Sequence, residues 1–191
     1  MTTVHFTRVL PTLVAASLLL AGCQSMPDRS SAAFAAVPGF GAAVDVPGAS
    51  VRPRARSETR AVFPATRAAP SADKVVPALD KAARYLNLLG LQGIRIRPGD
   101  VVVVVSGPAT SGVLTDTAYR ERTGNTGIAG NPNLPLIRAL REAGAVVSVC
   151  GQALHGQKIA PGDVTPEVRK DLSAMTTLVD LQSRGYALIP E

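Results

Sequence analysis

The sequence predicts an α/β domain whose parallel sheet is covered by helices. Three observations carry the prediction. Val101 to Val105 is a run of five valines. Nothing in it alternates with polar residues, so both faces of that strand must be buried, as in the middle of a parallel sheet. A second apolar run of strand length, Val146 to Cys150, follows later in the chain. Around these runs, apolar residues recur at three- and four-residue steps, the period of an α-helix. Strands alternating with helices build parallel sheets, because a parallel pair needs a crossover too long for a hairpin.

The elements follow in order. Thr59 to Phe63 reads as a short strand, and Pro64, with no N–H for the ladder, is expected to end it. Asp73 is placed to cap a helix, and Pro77 fits the first turn, where a missing N–H costs nothing. Leu79, Ala82, Ala83, Leu86 and Leu89 line that helix's apolar face, and Gly90 or Gly93 closes it. Pro98-Gly99-Asp100 turns the chain into the valine strand. Ser106 to Gly112, SGPATSG, is a loop at the strand's carboxyl end. Val113 to Thr123 reads as a helix with Val113, Leu114 and Ala118 facing in. Gly124 to Gly130 is a loop, and Asn131-Pro132 opens a helix through Leu134, Ile137 and Leu140 that Gly144 stops. After the second buried strand, Gly151 to Gln157 has the length of a short helix. Val164 to Leu172 is ambiguous, with a strand near Val168 as one reading. Ser173 caps a helix with Ala174, Leu178 and Leu181 inside, Gly185 ends it, and Tyr186 to Ile189 is the last strand.

The amino-terminal end has the layout of a secretory signal. Arg8 precedes an apolar run of about a dozen residues, too short to span a ~30 Å hydrocarbon core. The run closes on Leu20-Ala21-Gly22-Cys23. Small residues before a cysteine resemble the bacterial lipobox, which implies cleavage before Cys23 and a lipid on its sulfur. The next residue is Gln24 rather than Asp, so the resemblance implies the outer membrane, with the protein facing the periplasm. Residues 1–22 are then a lipoprotein signal peptide and residues 23–36 a lipidated flexible tether. From composition alone Val37 to Arg56, rich in Gly, Pro, Ala and Arg, would also be linker.

The formal net charge is +6, and the excess is local. Between Val37 and Pro70, Arg52, Arg54, Arg56, Arg60 and Arg67 stand against Asp45 and Glu58. From Ser71 onward thirteen basic residues meet eleven acidic ones, so the rest is nearly neutral. There is no Trp and there are few other aromatics, which removes base stacking, and nucleic acid is not an expected partner. The arginine cluster reads as a solvated basic face, with anionic lipid headgroups as its other reading.

With cleavage before Cys23 and lipid on its sulfur, Cys150 is the one free thiol left and His155 the one histidine. Cys150 then has no intramolecular disulfide partner, and a monomeric zinc site, which needs three or four ligands, is excluded. No metal or resident cofactor is expected. SGPATSG lacks the Lys that follows the glycine of a P-loop, and it lacks GxGxxG spacing. Ligands of parallel sheets bind beyond the carboxyl ends of the strands. Two segments reach that edge, with Ser106 and Gly107 in one and Gly151 and Gln152 in the other as candidate ligand contacts. If a helix begins where Cys150 ends its strand, the N–H groups of Gln152, Ala153 and Leu154 point toward the sulfur. A helix N-terminus favours an anion, here the nucleophilic thiolate. His155, one turn on, is a candidate proton or charge donor. The other reading makes Cys150 a small buried hydrophobe at a strand end.

Seven pieces of the chain, in order, are similar to the DsrE/DsrF-like sulfur-relay superfamily, above all to its small exported members. They are PGFG (Pro38 to Gly41), RAVF (Arg60 to Phe63), LDKAARYLNL (Leu79 to Leu88), VVVVVSGPA (Val101 to Ala109), NPNLPLIRALREAG (Asn131 to Gly144), VSVCGQAL (Val147 to Leu154) and LSAMTTLVDLQSRGYALIP (Leu172 to Pro190). The resemblance implies a flavodoxin-like three-layer α/β/α sandwich with a mostly parallel sheet. It moves the expected domain to residues 37–191, and it implies a homo-oligomer, a trimer or hexamer. Sulfur-relay members carry persulfide sulfur on a cysteine that ends a strand before a short helix, the place of Cys150. The expected function is a periplasm-facing lipoprotein that binds or relays sulfane sulfur through Cys150, with donor and acceptor unspecified. The alternative is a non-catalytic binding or assembly module on the same fold, with Cys150 as core packing.

Overall fold

The computed structural model describes residues 1–2, 35–53, 59–125 and 127–191. All but the first two residues of the expected signal peptide, the lipidation site Cys23 and most of the tether lie outside them. Five strands form one sheet: β1 (Ala61–Ala65), β2 (Val101–Val105), β3 (Val146–Cys150), β4 (Arg169–Asp171) and β5 (Ala187–Leu188). Their order is β4-β3-β2-β1-β5, and every pairing is parallel. The helices are α1 (Pro77–Gly90), α2 (Asp116–Thr123), α3 (Asn133–Glu142), α4 (Gly151–Gly156) and α5 (Ala174–Ser183).

The strand order dictates the layers. From β1 to β4 the chain steps one strand at a time in one direction, then returns across the sheet to β5, beyond β1. Crossovers between parallel strands are right-handed, so steps in opposite directions put their helices on opposite faces. The forward steps place α1 and α3 on the face built from Ala61, Phe63, Ala65, Val101, Val103, Val105, Val147 and Val149. The single return step places α5 on the other face, against Val62, Val102, Val104 and Val146. The result is the expected three-layer α/β/α sandwich, flavodoxin-like, with one thick and one thin outer layer. All five valines of β2 are buried, since each face of that strand meets a different layer.

Pro64 sits inside β1 and does not end it. In a parallel strand, alternate residues turn their polar groups to opposite neighbours. Arg60 and Val62 accept from Ala187 and Ile189 on the β5 side, whereas Ser106 next to β2 donates to Ala65. Pro64 shares the parity of Val62, so its missing N–H faces β5, whose register with β1 ends at Leu188. Other boundaries also moved. Asp73 does not cap α1: Val76 occupies that position, its N–H satisfied by Asn133 Oδ1 at 2.7 Å. The loop SGPATSG coils into a 3-10 turn over Gly107–Val113, which takes Val113 out of the next helix. That helix, α2, starts at Asp116 behind Thr115, whose hydroxyl accepts from the Ala118 N–H. Ser173 caps α5 as expected, accepting from Met175 N.

The segment that composition reads as linker is partly a strap on α1. Val37 is fully buried. Asn87, buried on α1, accepts from Val37 N at 2.8 Å and donates to the carbonyls of Val37, Phe40 and Gly41. Asp80 accepts from Gly41 N at 2.8 Å. Gly41 has φ +55, and a Cβ there would overlap the α1 backbone at Ala83 and Arg84. Only glycine lets the strap approach this closely.

Candidate functional site

Cys150 is the last residue of β3 and the N-cap residue of α4, in extended conformation. Side chains alternate along a strand. Val147 and Val149 face the thick layer and Val146 the thin one, so Ser148 and Cys150 also face the thin, α5 layer. Cys150 is a free thiol, 6 % exposed. No side chain caps α4, so its first N–H groups are open toward the end of β3.

A row of polar residues crosses the carboxyl edge of the sheet at this level. Cys150 is in register with Asp171 of β4. One step beyond the pair Val105–Val149, the extended Ser106 lies beside Cys150 at a strand spacing of about 4.8 Å. Thr66 comes next, beyond Ala65–Val105. The flanks of the row are engaged. Arg169 clamps Asp171 with two hydrogen bonds, at 2.7 and 3.1 Å, and Thr177 of α5 adds a third at 3.0 Å. Burial pushes the Asp171 carboxyl up, but hydrogen bonds from Arg169 and Thr177, the neighbouring Ser148 hydroxyl and the Arg169 charge outweigh it, so it lies below the usual carboxylate range. The Ser148 hydroxyl, fully buried, reaches no partner with good hydrogen-bond geometry. On the other flank, Glu191 accepts from the Thr66 hydroxyl at 2.5 Å and from Arg67 N. Burial raises its carboxyl and these bonds, with the Arg67 charge, lower it further, for a net downward shift. The Ser106 hydroxyl and the Cys150 thiol, in the middle, hold no hydrogen bond among the described residues.

The other residues picked from the sequence are placed as follows. Ser106 N is spent in the sheet, donating to Ala65 O at 2.9 Å. The Gly107 carbonyl is the engaged group of that turn, accepting from Thr110 Oγ1 and from Gln157 Nε2 at 2.7 and 2.8 Å. Gly151 packs against the β4 end: a Cβ there would stand 2.9 Å from Asp171 O. Gln152 is exposed and donates from Nε2 to Leu172 O at 3.3 Å. His155 is exposed in the last turn of α4. Five positions from Cys150, it lies about 140° round the helix, and no hydrogen bond joins the two. The structure thus gathers Cys150, Ser106, Gly151 and Gln152 and leaves His155 apart. Asp171 is the residue the sequence reading missed. Its one signal was a charged residue between a short strand and a well-capped helix.

Beside this edge, on the thin face, a groove of about 650 Å³ runs along α5, lined by Val102, Val146, Arg169, Asp171, Thr177 and Arg184 among others. A smaller hollow of about 390 Å³ lies between the strap and α1, against Phe40, Asp80, Arg84 and Asn87, and takes no residue from the carboxyl-edge row. Among the described residues no group of three or more His, Cys, Asp or Glu side chains is arranged to hold a metal ion, and no helix is long and apolar enough to cross a membrane.

No curated protein matches the chain. Among solved structures it is similar to the ychN protein from E. coli, with 14% identity over 70% of this chain and 99% of that one and a TM-score of 0.46. It is also similar to MTH1491, a protein of unknown function from Methanobacterium thermoautotrophicum, with 18% identity over 55% of this chain and 81% of that one and a TM-score of 0.39. The model of the DsrE/DsrF-like family matches residues 60–190, well over half of the sequence, from the start of β1 to the end of the sheet, and the chain belongs to that family.

Proposed function

We propose that the protein receives and passes on sulfane sulfur through Cys150. The observation that carries this reading is the position of Cys150. It is a free thiol at the carboxyl end of a parallel strand, at an uncapped helix start, in a chain of a sulfur-relay family. The step is a thiol–persulfide exchange. The Cys150 thiolate attacks the outer sulfur of a donor persulfide, the donor's S–S bond breaks, and its thiolate leaves. The new S–S bond leaves the transferred sulfur, with its proton, on Cys150. In this reading Ser106, on the neighbouring strand end, donates a hydrogen bond to that sulfur, and the uncapped start of α4 favours its anion.

The 6 % exposure of Cys150 favours a second reading, a binding module in which the thiol is packing. One experiment separates the two. Under the relay reading, native protein reacts with iodoacetamide at Cys150, and a sulfane donor adds one sulfur mass there that reductant removes. Both effects vanish in Cys150→Ser with the fold intact. Alkylation only after unfolding would establish the packing role.

The lipid anchor at Cys23 on the periplasmic side of the outer membrane belongs to the same proposal and rests on the LAGC sequence. Palmitate labelling equal in wild type and Cys23→Ser would remove it. A homo-oligomer, a trimer or larger, is proposed from the family and from the thin layer, where Leu172, Met175 and Val179 stand exposed. A monomer mass by light scattering at micromolar concentration would dismiss it.

A further inference from the structure

We infer that Arg169 is a positioning residue for the chemistry of Cys150, acting by holding the Asp171 carboxylate away from the thiol. The inference rests on the reading of Cys150 as a reactive thiol and adds the residue that keeps its neighbour's charge in check. Cys150 and Asp171 are register partners on neighbouring parallel strands. Their side chains therefore leave the sheet on one face, at a strand spacing of about 4.8 Å. Thr177 of α5 reaches Asp171, so that face is the one under the thin layer. A free carboxylate there would work against the reaction. It repels a thiolate, and it accepts a hydrogen bond only from the protonated thiol, so both effects keep the proton on sulfur.

The fold takes this acceptor out of use. Arg169, two residues earlier on β4, donates from Nε to Asp171 Oδ1 at 2.7 Å and from a terminal nitrogen to Oδ2 at 3.1 Å, and the Thr177 hydroxyl donates to Oδ2 at 3.0 Å. A bidentate guanidinium fork fixes the plane of a carboxylate as well as offsetting its charge. A second observation marks the same corner. Ser148, in register with Arg169 and two residues before Cys150 on the thin face, is fully buried, and its hydroxyl reaches no partner. A buried hydroxyl without a partner is rare and costly, and alanine would serve packing better. This corner is therefore built polar beside the thiol. The other charged groups around Cys150 are otherwise placed. Lys170 pairs with Val149 and has the opposite parity. Asp180 and Arg184, farther along α5, bond each other at 3.2 Å. Arg67 and Glu191, beyond Ser106 and Thr66, pair with each other. His155 is exposed in the last turn of α4, and the turn Gly107–Val113 carries no charge.

The test is a pH titration of the thiolate's ultraviolet absorbance in the full chain. Each protein is read against its own Cys150→Ser counterpart, so that Cys23 and the three tyrosines cancel. No reagent has to reach the sulfur. Resistance of the native protein to iodoacetamide would thus defeat the relay reading, while the titration midpoint still decides the role of Arg169. Arg169→Gln is expected to raise the midpoint by about one pH unit, the low end of what a like charge within about 4–6 Å does. Because Arg169 acts through the carboxylate, the same substitution in the Asp171→Asn background should move the midpoint by less than about half as much. A merely structural role would lower the melting temperature and leave the midpoints in place. Arg169 lies on an edge strand with its side chain half exposed, so the variant is expected to fold. Should it not, Thr177→Val decides: it removes the other side-chain bond to Oδ2 and should raise the midpoint in the same direction by a smaller amount. A midpoint that Arg169→Gln, or in its place Thr177→Val, leaves within about 0.2 pH unit of wild type overturns the proposal. So does an equal rise in the Asp171→Asn background, which would make Arg169 a direct partner of the thiol.

Discussion

Replacing Asn87 by Ala tests whether the strap is part of the folded unit. The Asn87 side chain ties three strap residues to α1 through one accepted and three donated hydrogen bonds. If the strap stayed in place, the buried Val37 N–H and the Gly41 carbonyl would lose their partners. A buried polar group left unsatisfied costs about 1–3 kcal/mol, so the two together would cost about 4 kcal/mol. Release of the strap is the other route. It forfeits the burial of Val37, about 2 kcal/mol for a full valine side chain, and that of Ala43, and it recovers chain entropy. The cheaper route wins, so the expected outcome is a loss of about 2 kcal/mol with the strap detached in the native state. Urea unfolding reads both parts. The midpoint should fall, and the slope m should fall with it, because the variant's native state already exposes surface. Hydrogen exchange should show the Val37 and Gly41 amides protected in wild type and open in the variant. A stability within about 0.5 kcal/mol of wild type, with both amides still protected, would refute the reasoning.

Asp171→Asn tests the carboxylate that closes the row beside Cys150. The Asp171 pKa is lowered in the fold, so its ionisation contributes stability fully present above the unfolded value near ~3.9 and lost as the pH falls through the folded value. The gap in melting temperature between wild type and variant is therefore expected to be widest above about pH 5 and to close in acid; a gap that does not change with pH would be incompatible with this. Gln152→Ala removes the one side-chain bond from α4 to Leu172 O. It is expected to speed alkylation of Cys150 while changing stability by less than about 0.5 kcal/mol, the usual range for a surface substitution; an unchanged rate would show that this bond does not control access.

The sequence carried the layers because they rest on periodicity. Five valines without a polar interruption have only one environment, and the helical repeats of Leu79 to Leu89 and Leu134 to Leu140 supply the cover for one face. Cys150 was legible as a strand end for the same reason. What escaped depended on long-range pairing. Pro64 reads as a terminator unless one knows that its ring nitrogen faces the far end of β5. Asp73 reads as a cap until Asn133, distant in sequence, takes the Val76 N–H. The strap resembles a linker because its polar attachments are two side chains on another element, and no window of composition contains Asn87 and Asp80. Asp171 escaped because β4 is three residues long and lies at the sheet's edge, too short for alternation to be read.

The burial of Cys150 is therefore a consequence of topology before it is evidence about chemistry. Strand alternation turns the thiol to the face that only the return crossover covers, and at the carboxyl edge of that face the cover is just the start of α5. There Leu172 and Met175 are exposed, so little apolar burial holds the segment down. Its ties near the thiol are hydrogen bonds: Gln152 to Leu172 O and Thr177 to Asp171. Bonds of this kind contribute about 1 kcal/mol each, far less than the many core contacts that hold β2 and β3. Local opening of such a segment costs less than global unfolding. A thiol buried under a well-packed helix could react only when the whole domain unfolds. One at this edge needs only Leu172–Met175, the chain after β4, to move, and the sheet behind it keeps Cys150 and Ser106 in register while it does. The same low exposure that favours a packing role is thus what a relay cysteine would show in a protein that shields its persulfide between transfers.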